Sequence, residues 1–412
     1  MTRIRSAAVA AVLSMLAVLS PGLASGAGAA PSDAPTFIVT LRSGEPREVA
    51  DDHSRRYGAD VEFVYEHALR GYAARVSEGQ IGALARDGRV ARVERDQTVH
   101  AVETQSNATW GLDRIDARSG LDGTYSYDAT GRGVTAYILD TGIKTSHTDF
   151  SGRAGVGTDV IGDGQQGQDC NGHGTHVAGT VGGELYGVAK DVSLVAVRVL
   201  DCTGSGSWSG VIAGIEWVTA DADGPAVANM SLGGGASEAV DTAVRNSIDA
   251  GVSYAIAAGN GNPGGKAQDA CKYSPARVPE AMTIGATTQS DAKTSWSNYG
   301  SCVDWFAPGQ DITSAWIGSD TATNIISGTS MAAPHVAGVA ALYLQRHPWA
   351  TASDVQEALH SFTTKGIVTS SKTSNNDLLF SFEEIDAGGG DGDGGTEEPV
   401  PCTPRGRSGK GC

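Results

Sequence analysis

The sequence predicts an α/β protein: a parallel β-sheet flanked by helices, preceded by a small α+β unit. Three observations predict it. From about Trp110 to Asp386, continuous apolar runs such as Val134–Leu139, Val192–Leu200, Val227–Met230 and Val252–Ala258 alternate with helical stretches of small residues. Runs without polar alternation suit strands covered on both faces, the condition of a parallel sheet between two helix layers. Ahead of them, residues 36–100 form a short, strongly charged segment in which strand and helix patterns alternate. Finally, 412 residues exceed one ordinary domain, so a large core with smaller appendages is expected.

Taken in order, the chain opens on an export signal. Arg3 and Arg5 give a positive start, Ala7–Leu19 is an apolar run, Pro21 and Gly22 break it, and Ala27-Gly28-Ala29 offers an A-x-A cleavage site, so residues 1–29 are assigned to the signal. That run is too short to span a bilayer, and no other stretch reaches the roughly 18–20 apolar residues required. The mature protein is expected to be soluble and extracellular, with no membrane segment. In residues 30–103, Thr36–Leu41 reads as a strand, Glu48–Tyr57 as a helix, Ala59–His67 and Gly71–Val76 as strands, and Glu78–Arg86 as a helix with Ile81, Leu84 and Ala85 apolar. Val90–Val99 closes the segment as a strand, and the β-α-β-β-α-β order is that of a ferredoxin-like unit. The sheet domain is placed at 104–386. The tail, 387–412, begins with Gly-Gly-Gly-Asp-Gly-Asp-Gly-Gly after Ala387 and reads as a flexible linker.

A formal net charge of −17 with 6% aromatic residues argues against a nucleic-acid partner, which needs a basic stripe, and fits a solvated surface or bound cations. Cys170, Cys202, Cys271, Cys302, Cys402 and Cys412 form an even set in an exported chain, which favours disulfides. No C-x-x-C pair supports zinc-finger or thioredoxin chemistry, and the sequence alone does not choose among the pairings. Nothing demands more than a monomer.

Three segments carry chemistry. Val134-Thr-Ala-Tyr-Ile-Leu-Asp140-Thr-Gly142 is a buried strand ending on a carboxylate and a turn, where open parallel sheets place their sites. Alone, Asp140 reads more readily as a turn cap. Asn171-Gly-His173-Gly-Thr-His176-Val-Ala-Gly179 opens a helix whose glycines let another backbone approach. His173 and His176 lack an acidic partner at the spacing of a zinc helix, which weakens a metal reading. Ser327-Gly-Thr-Ser330-Met-Ala-Ala-Pro334-His-Val-Ala-Gly338 takes a Gly-led loop into a helix rich in Ala and Val. Ser330 there has an ordinary job as an N-cap. The same place offers a helix dipole and free N–H groups to a developing oxyanion. Together the three segments supply a serine hydroxyl, a histidine to accept its proton, and a carboxylate to hold the histidine's tautomer and stabilise the imidazolium.

Asp140-Thr-Gly142, His173-Gly-Thr-His176 and Gly328-Thr-Ser-Met-Ala332 resemble the three signatures of the subtilisin-like serine proteases, in that family's chain order of Asp, His, Ser. The resemblance covers about Trp110 to Asp386 and is nearest to the proteinase K and aqualysin branch; the earlier small unit is similar to the inhibitory, I9-type propeptide of such precursors. It implies a secreted serine endopeptidase of broad specificity, acting on proteins and peptides through an acyl-enzyme, with its own propeptide as transient inhibitor. Asn260, in Ala257-Ala-Gly-Asn260, matches the oxyanion-hole asparagine, whose amide would join the Ser330 N–H. Losing one such donor typically costs about 10²–10³ in turnover. Substrate would lie extended between Gly204-Ser205-Gly206 and Ser231-Leu232-Gly233-Gly234, edges whose free backbone groups bind a strand with little sequence demand. Trp208 would wall the subsite for the fourth residue before the cut, and the resemblance suggests an apolar or aromatic residue at the cut.

The same resemblance pairs Cys170 with Cys202 and Cys271 with Cys302. Closing loops of about thirty residues contributes roughly 3–4 kcal/mol apiece in the chain-entropy model. Proteinase K's own first disulfide partner has no counterpart, since Thr135 occupies the place. Cys402 and Cys412 have no counterpart in the catalytic domain and are expected to close a small loop in the tail. Calcium is the implied cofactor, with no organic one: the Asp304 carboxylate and the Pro279 and Ala281 carbonyls match a strong site, and Asp113 and Asp116 resemble a second. A removable prodomain protects the producing cell and could template a slowly unfolding enzyme; its cleavage is expected within Val102–Thr104. A lipase or esterase would carry G-x-S-x-G in the order Ser, Asp, His, and neither is found. A degenerate, peptide-binding scaffold usually lacks a triad residue, whereas all three and Asn260 are present.

Overall fold

The computed structural model describes residues 34–96 and 103–381, which fall into two compact units divided between Val99 and His100. In the first, β1 (Thr36–Leu41), α1 (Pro46–Tyr57), β2 (Asp60–Tyr65), β3 (Gly71–Arg75), α2 (Glu78–Ala85) and β4 (Val90–Arg95) form an antiparallel sheet of order β2-β3-β1-β4 with two helices. Strand alternation sends Phe37, Val39 and Leu41 of β1 into a core with Val49, Tyr72, Ala74 and Leu84. α1 starts two residues before the expected Glu48, at Pro46, whose fixed φ is already helical. β1 has the expected bounds, β2 (Asp60–Tyr65) and β3 (Gly71–Arg75) are shorter than expected, and residues 97–99 of the last expected strand lie outside the described residues.

The second unit opens with β5 (Glu103–Ser106), α3 (Trp110–Ile115) and β6 (Thr124–Tyr127), β5 pairing antiparallel with β6. There follow β7 (Thr135–Asp140), β8 (Ala154–Asp159), α4 (His173–Gly182), β9 (Ser193–Arg198), α5 (Trp208–Asp221), β10 (Ala226–Met230) and the two-residue β11 (Gly234–Gly235). The chain continues through α6 (Glu238–Asp249), β12 (Ser253–Ala257), β13 (Tyr273–Ser274), β14 (Met282–Thr287), β15 (Trp305–Pro308), β16 (Ile312–Ala315), β17 (Thr323–Ile326), α7 (Thr329–Arg346) and α8 (Ala352–Phe362). Seven strands make one parallel sheet in the order β15-β14-β12-β10-β7-β9-β8. The apolar runs of the sequence are β7, β9, β10 and β12. The other three carried no such signal: β8 is Gly- and Thr-bearing at the sheet edge, β14 mixes Thr and Gly with apolar residues, and β15 has only four residues.

Two cores cover the sheet. One packs Val177 and Ala178 of α4 and Met331, Val336 and Ala337 of α7 against Ile138 of β7; the other packs Val211 and Ile215 of α5 and Val244 of α6 against Leu139 and Val197. Each fully buried Val or Ile adds about 1.5–3 kcal/mol. From β7 the chain proceeds to β8 and β9 on one side; from β10 it proceeds to β12 and beyond on the other. The crevice outside the carboxyl ends of β7 and β10 is therefore the switch point, where such sheets bind ligands.

Candidate active site

β7 ends in this crevice on Asp140, which is fully buried, and the chain turns through Gly142 at a φ of +108°, a conformation open to glycine. α4 begins on His173, and a Cβ at Gly174 would lie 2.2 Å from the Gly142 carbonyl oxygen, so a side chain there would push α4 off β7. That close approach lets His173 Nδ1 donate to Asp140 Oδ1 at 2.7 Å, leaving Nε2 as the proton-accepting nitrogen. Asp140 Oδ1 also accepts from Thr141 N at 2.8 Å, while Oδ2 is buried without a partner among the described residues. Burial pushes the His173 pKa down, but the charge and hydrogen bond of Asp140, with the charge of Asp169 added, outweigh it and leave the ring above the ordinary histidine value.

Asp169 is a site residue that sequence reasoning missed; a carboxylate four residues before a helix-opening histidine was its only signal. Its Oδ1 accepts from Thr141 Oγ1 and from the Asn171 and Gly172 N–H groups, each at 2.9 Å, and its Oδ2 accepts from Thr175 N at 2.9 Å and Thr175 Oγ1 at 2.6 Å. One side chain thus ties the end of β7 to the first turn of α4. His176 points elsewhere: it is fully buried, donates from Nε2 to the Ile312 carbonyl at 2.9 Å, and is pushed down to about 4 by burial. It pins α4 to β16.

Across the crevice, α7 starts at Thr329 with Gly328 as its cap, so Ser330 is the second helical residue rather than the N-cap. Its N–H is one of the four that a helix start leaves without an internal partner. Asn260 follows β12, and its Oδ1 accepts from Thr329 N at 2.8 Å and Thr329 Oγ1 at 2.9 Å, which fixes the orientation of its amide. A Cβ at Gly328 would lie 3.3 Å from Asn260 Nδ2 and 3.5 Å from Ser330 N. Two N–H donors therefore border one small space that glycine leaves open. The Ser330 hydroxyl donates to the Ser231 carbonyl at 3.2 Å.

Gly204, Ser205, Gly206, Trp208, Ser231, Leu232, Gly233 and Gly234 all line one cavity of about 610 Å³ that reaches His173. Trp208, the first residue of α5, lies against Gly234, where a Cβ would meet its ring at 2.7 Å. A second cavity of about 320 Å³ continues from Ser231 past Asn260 and Ser330 to Tyr273 and Asn298, with no charged side chain in its lining among the described residues.

Residues 131–381, more than half of the chain, match the model of the subtilase family. The chain belongs to the subtilase family. Residues 36–102 match the peptidase inhibitor I9 family. An extracellular serine proteinase of Thermus sp. (strain Rt41A) is 60% identical over 323 residues, 78% of this chain and 78% of that protein. The alkaline serine exoprotease A of Vibrio alginolyticus is 51% identical over 362 residues, 86% of this chain and 66% of that protein. The crystal structure of a cold-adapted subtilisin-like serine proteinase matches with a TM-score of 0.64 and 54% identity, covering 67% of this chain and 99% of that one. This subtilase is a secreted serine endopeptidase with an I9 propeptide region.

Disulfides join Cys170 to Cys202 and Cys271 to Cys302 in the subtilase domain. The first links the residue after Asp169 to the loop that leads into the Gly204–Gly206 edge, and Asn171 Nδ2 donates to the Cys202 carbonyl at 3.0 Å beside it. Cys402, Cys412, Val102, the signal and the tail lie outside the described residues. At the first expected cation position, Asp304 Oδ2 accepts from Thr283 N at 2.7 Å, and burial pushes its pKa up to about 7. The Pro279 and Ala281 carbonyls both face the Gln356 amide, at 3.3 and 3.4 Å. At the second, Asp113 accepts from Asp122 N and Gly123 N, both at 2.9 Å, and Asp116 accepts from Ser126 N at 2.6 Å. Burial, then the charges of Asp113 and Asp122, push Asp116 up to about 6 against that hydrogen bond.

Proposed function

We propose that the chain is a self-processing precursor whose mature enzyme begins near Thr104 and cuts proteins with broad specificity through Asp140, His173 and Ser330. The observation that carries this reading is the convergence, at one crevice, of a 2.7 Å carboxylate–imidazole pair with a serine whose N–H shares an open space with the Asn260 amide. For attack, the Ser330 hydroxyl leaves the Ser231 carbonyl and passes its proton to His173 Nε2 as Oγ bonds to the scissile carbonyl carbon. Asp140 holds the tautomer and stabilises the imidazolium. The oxyanion takes hydrogen bonds from Ser330 N and Asn260 Nδ2. Collapse expels the amine with the proton from His173, and water activated by the same imidazole hydrolyses the acyl-Ser330. Substrate backbone binds between the Gly204–Gly206 and Ser231–Gly234 edges. The uncharged second cavity favours an apolar or aromatic residue at the cut, and Trp208 walls a subsite upstream. The enzyme acts as a monomer, and protein and peptide substrates, with the transient propeptide, are its partners.

Calcium fits the donor set around Asp304. The set supplies hard oxygens short of positive charge: a buried carboxylate opposed by one backbone N–H, and two carbonyls that converge on one neutral amide. Asp304, Pro279 and Ala281 would hold the ion, and Asp116 with Asp113 is the second candidate. Bound calcium supplies structural charge compensation there.

The test is intact mass and N-terminal sequence of secreted wild type beside Ser330→Ala in a host without other extracellular proteases. Wild type is expected to lose the segment up to about Thr104, while the variant keeps both parts joined. Normal maturation of the variant would overturn the assignment of Ser330.

A further inference from the structure

Pro334 stands inside α7, four residues after Ser330. In a regular helix the N–H at that place closes on the Ser330 carbonyl; proline has no N–H, so the carbonyl loses its helical partner. Another element fills the gap. The Ser231 hydroxyl, one residue beyond β10, donates to the Ser330 carbonyl at 2.8 Å. A hydroxyl has one proton, so with that proton committed Ser231 Oγ only accepts, and Asn229 Nδ2 of β10 donates to it at 2.9 Å. Asn229 is 1% exposed, and its Oδ1 is buried without a partner among the described residues. The reverse amide orientation would present an oxygen to Ser231, which has no second proton to give. The unsatisfied Oδ1 is the cost of aiming Nδ2 at the hydroxyl.

We propose that the Ser231 hydroxyl, oriented by Asn229, is the positioning group for Ser330: it replaces the main-chain hydrogen bond that Pro334 removes. This rests on reading Ser330 as the nucleophile. The role belongs to the hydroxyl alone, distinct from the Ser231 main chain that borders the substrate cleft. With the bond present, the Ser330 carbonyl is held between β10 and α7, and the direction of its Cα–Cβ bond is set with it. Without it, the carbonyl loses the donor that stands in for the missing proline N–H, and the placement of Oγ in the crevice relaxes.

The experiment is a double-mutant cycle on the mature enzyme, comparing wild type, Ser231→Ala, Pro334→Ala and the double variant by kcat and KM on a short chromogenic peptide. Ser231→Ala is expected to lower kcat about 10-fold, with KM within about 2-fold of wild type. In the Pro334→Ala background, which restores the helical N–H, the same change is expected to cost about 2-fold or less. Ser231→Thr, which keeps a hydroxyl, should retain most of the wild-type kcat. Equal losses from Ser231→Ala in both backgrounds, or a loss confined to KM, would overturn the proposal. If Ser231→Ala does not mature, the same four-way comparison is read from the extent of precursor self-cleavage. Ser330→Ala is run alongside. Activity in that variant sinks the nucleophile reading itself, whereas an inactive Ser330→Ala with equal Ser231 losses sinks only the positioning role.

Discussion

At His173 two opposing effects meet in one ring. Burial disfavours the imidazolium, and the carboxylates of Asp140 and Asp169 favour it more strongly, so the ring is raised above the ordinary histidine value. In the proposed reaction the ring must be neutral to accept the Ser330 proton, so kcat/KM should fall as pH drops through a midpoint above the ordinary histidine value. A pH profile of kcat/KM checks this, and an acid-limb midpoint at or below the ordinary histidine value would contradict it. Asp140, His173 and Ser330 were legible as candidates because each ends or begins a run with its own local character, and Asn260 only through the resemblance to the subtilisin-like proteases. Asp169, Thr329 and Asn229 were not. A carboxylate in a Gly- and Asn-bearing loop, a threonine beside a serine and an asparagine inside a strand look ordinary until their partners are placed, because their roles lie in hydrogen bonds rather than in composition.

The elements hold these residues through small side chains and one crosslink. Glycine at 174 lets α4 touch the turn after β7, and alanines along α7 let that helix lie buried against the sheet. The Cys170–Cys202 disulfide closes the segment that carries α4, and the buried Arg198 guanidinium lies beneath it, paired with Asp159 at 3.0 Å and Asp163 at 2.6 Å. Replacing both cysteines with serine in the Ser330→Ala background, where self-digestion is absent, should lower the unfolding free energy by about 3 kcal/mol. Urea denaturation measures it, and an unchanged midpoint would show that the crosslink contributes nothing to the folded state. The strands β7, β9, β10 and β12 were readable from their apolar runs, whereas β8, β14 and β15 owe their strand state to neighbours in the sheet and not to their own periodicity.

For the whole molecule, calcium is the external variable. If Asp304 with the Pro279 and Ala281 carbonyls holds the ion, chelation should lower the Tm of the Ser330→Ala precursor and added calcium restore it, the ion at a hundred times Kd adding about 2.7 kcal/mol to the unfolding free energy. Asp304→Asn should remove most of that difference in a thermal scan, and a Tm indifferent to chelator would exclude the site. The fold class, the order of the two units and the order of the candidate residues were all determined by the sequence on its own, because hydrophobic periodicity and turn chemistry are properties of neighbouring positions. The tertiary structure alone decided the strand order, the switch point between β7 and β10, and the hydrogen bonds that turn separate motifs into one crevice. Those bonds join residues 33, 69 and 99 positions apart, Asp140 to His173, Asn260 to Thr329 and Ser231 to Ser330, and no local pattern encodes an encounter at that range. It arises only when the two cores bury their apolar faces against the sheet and bring the carboxyl ends of its strands together.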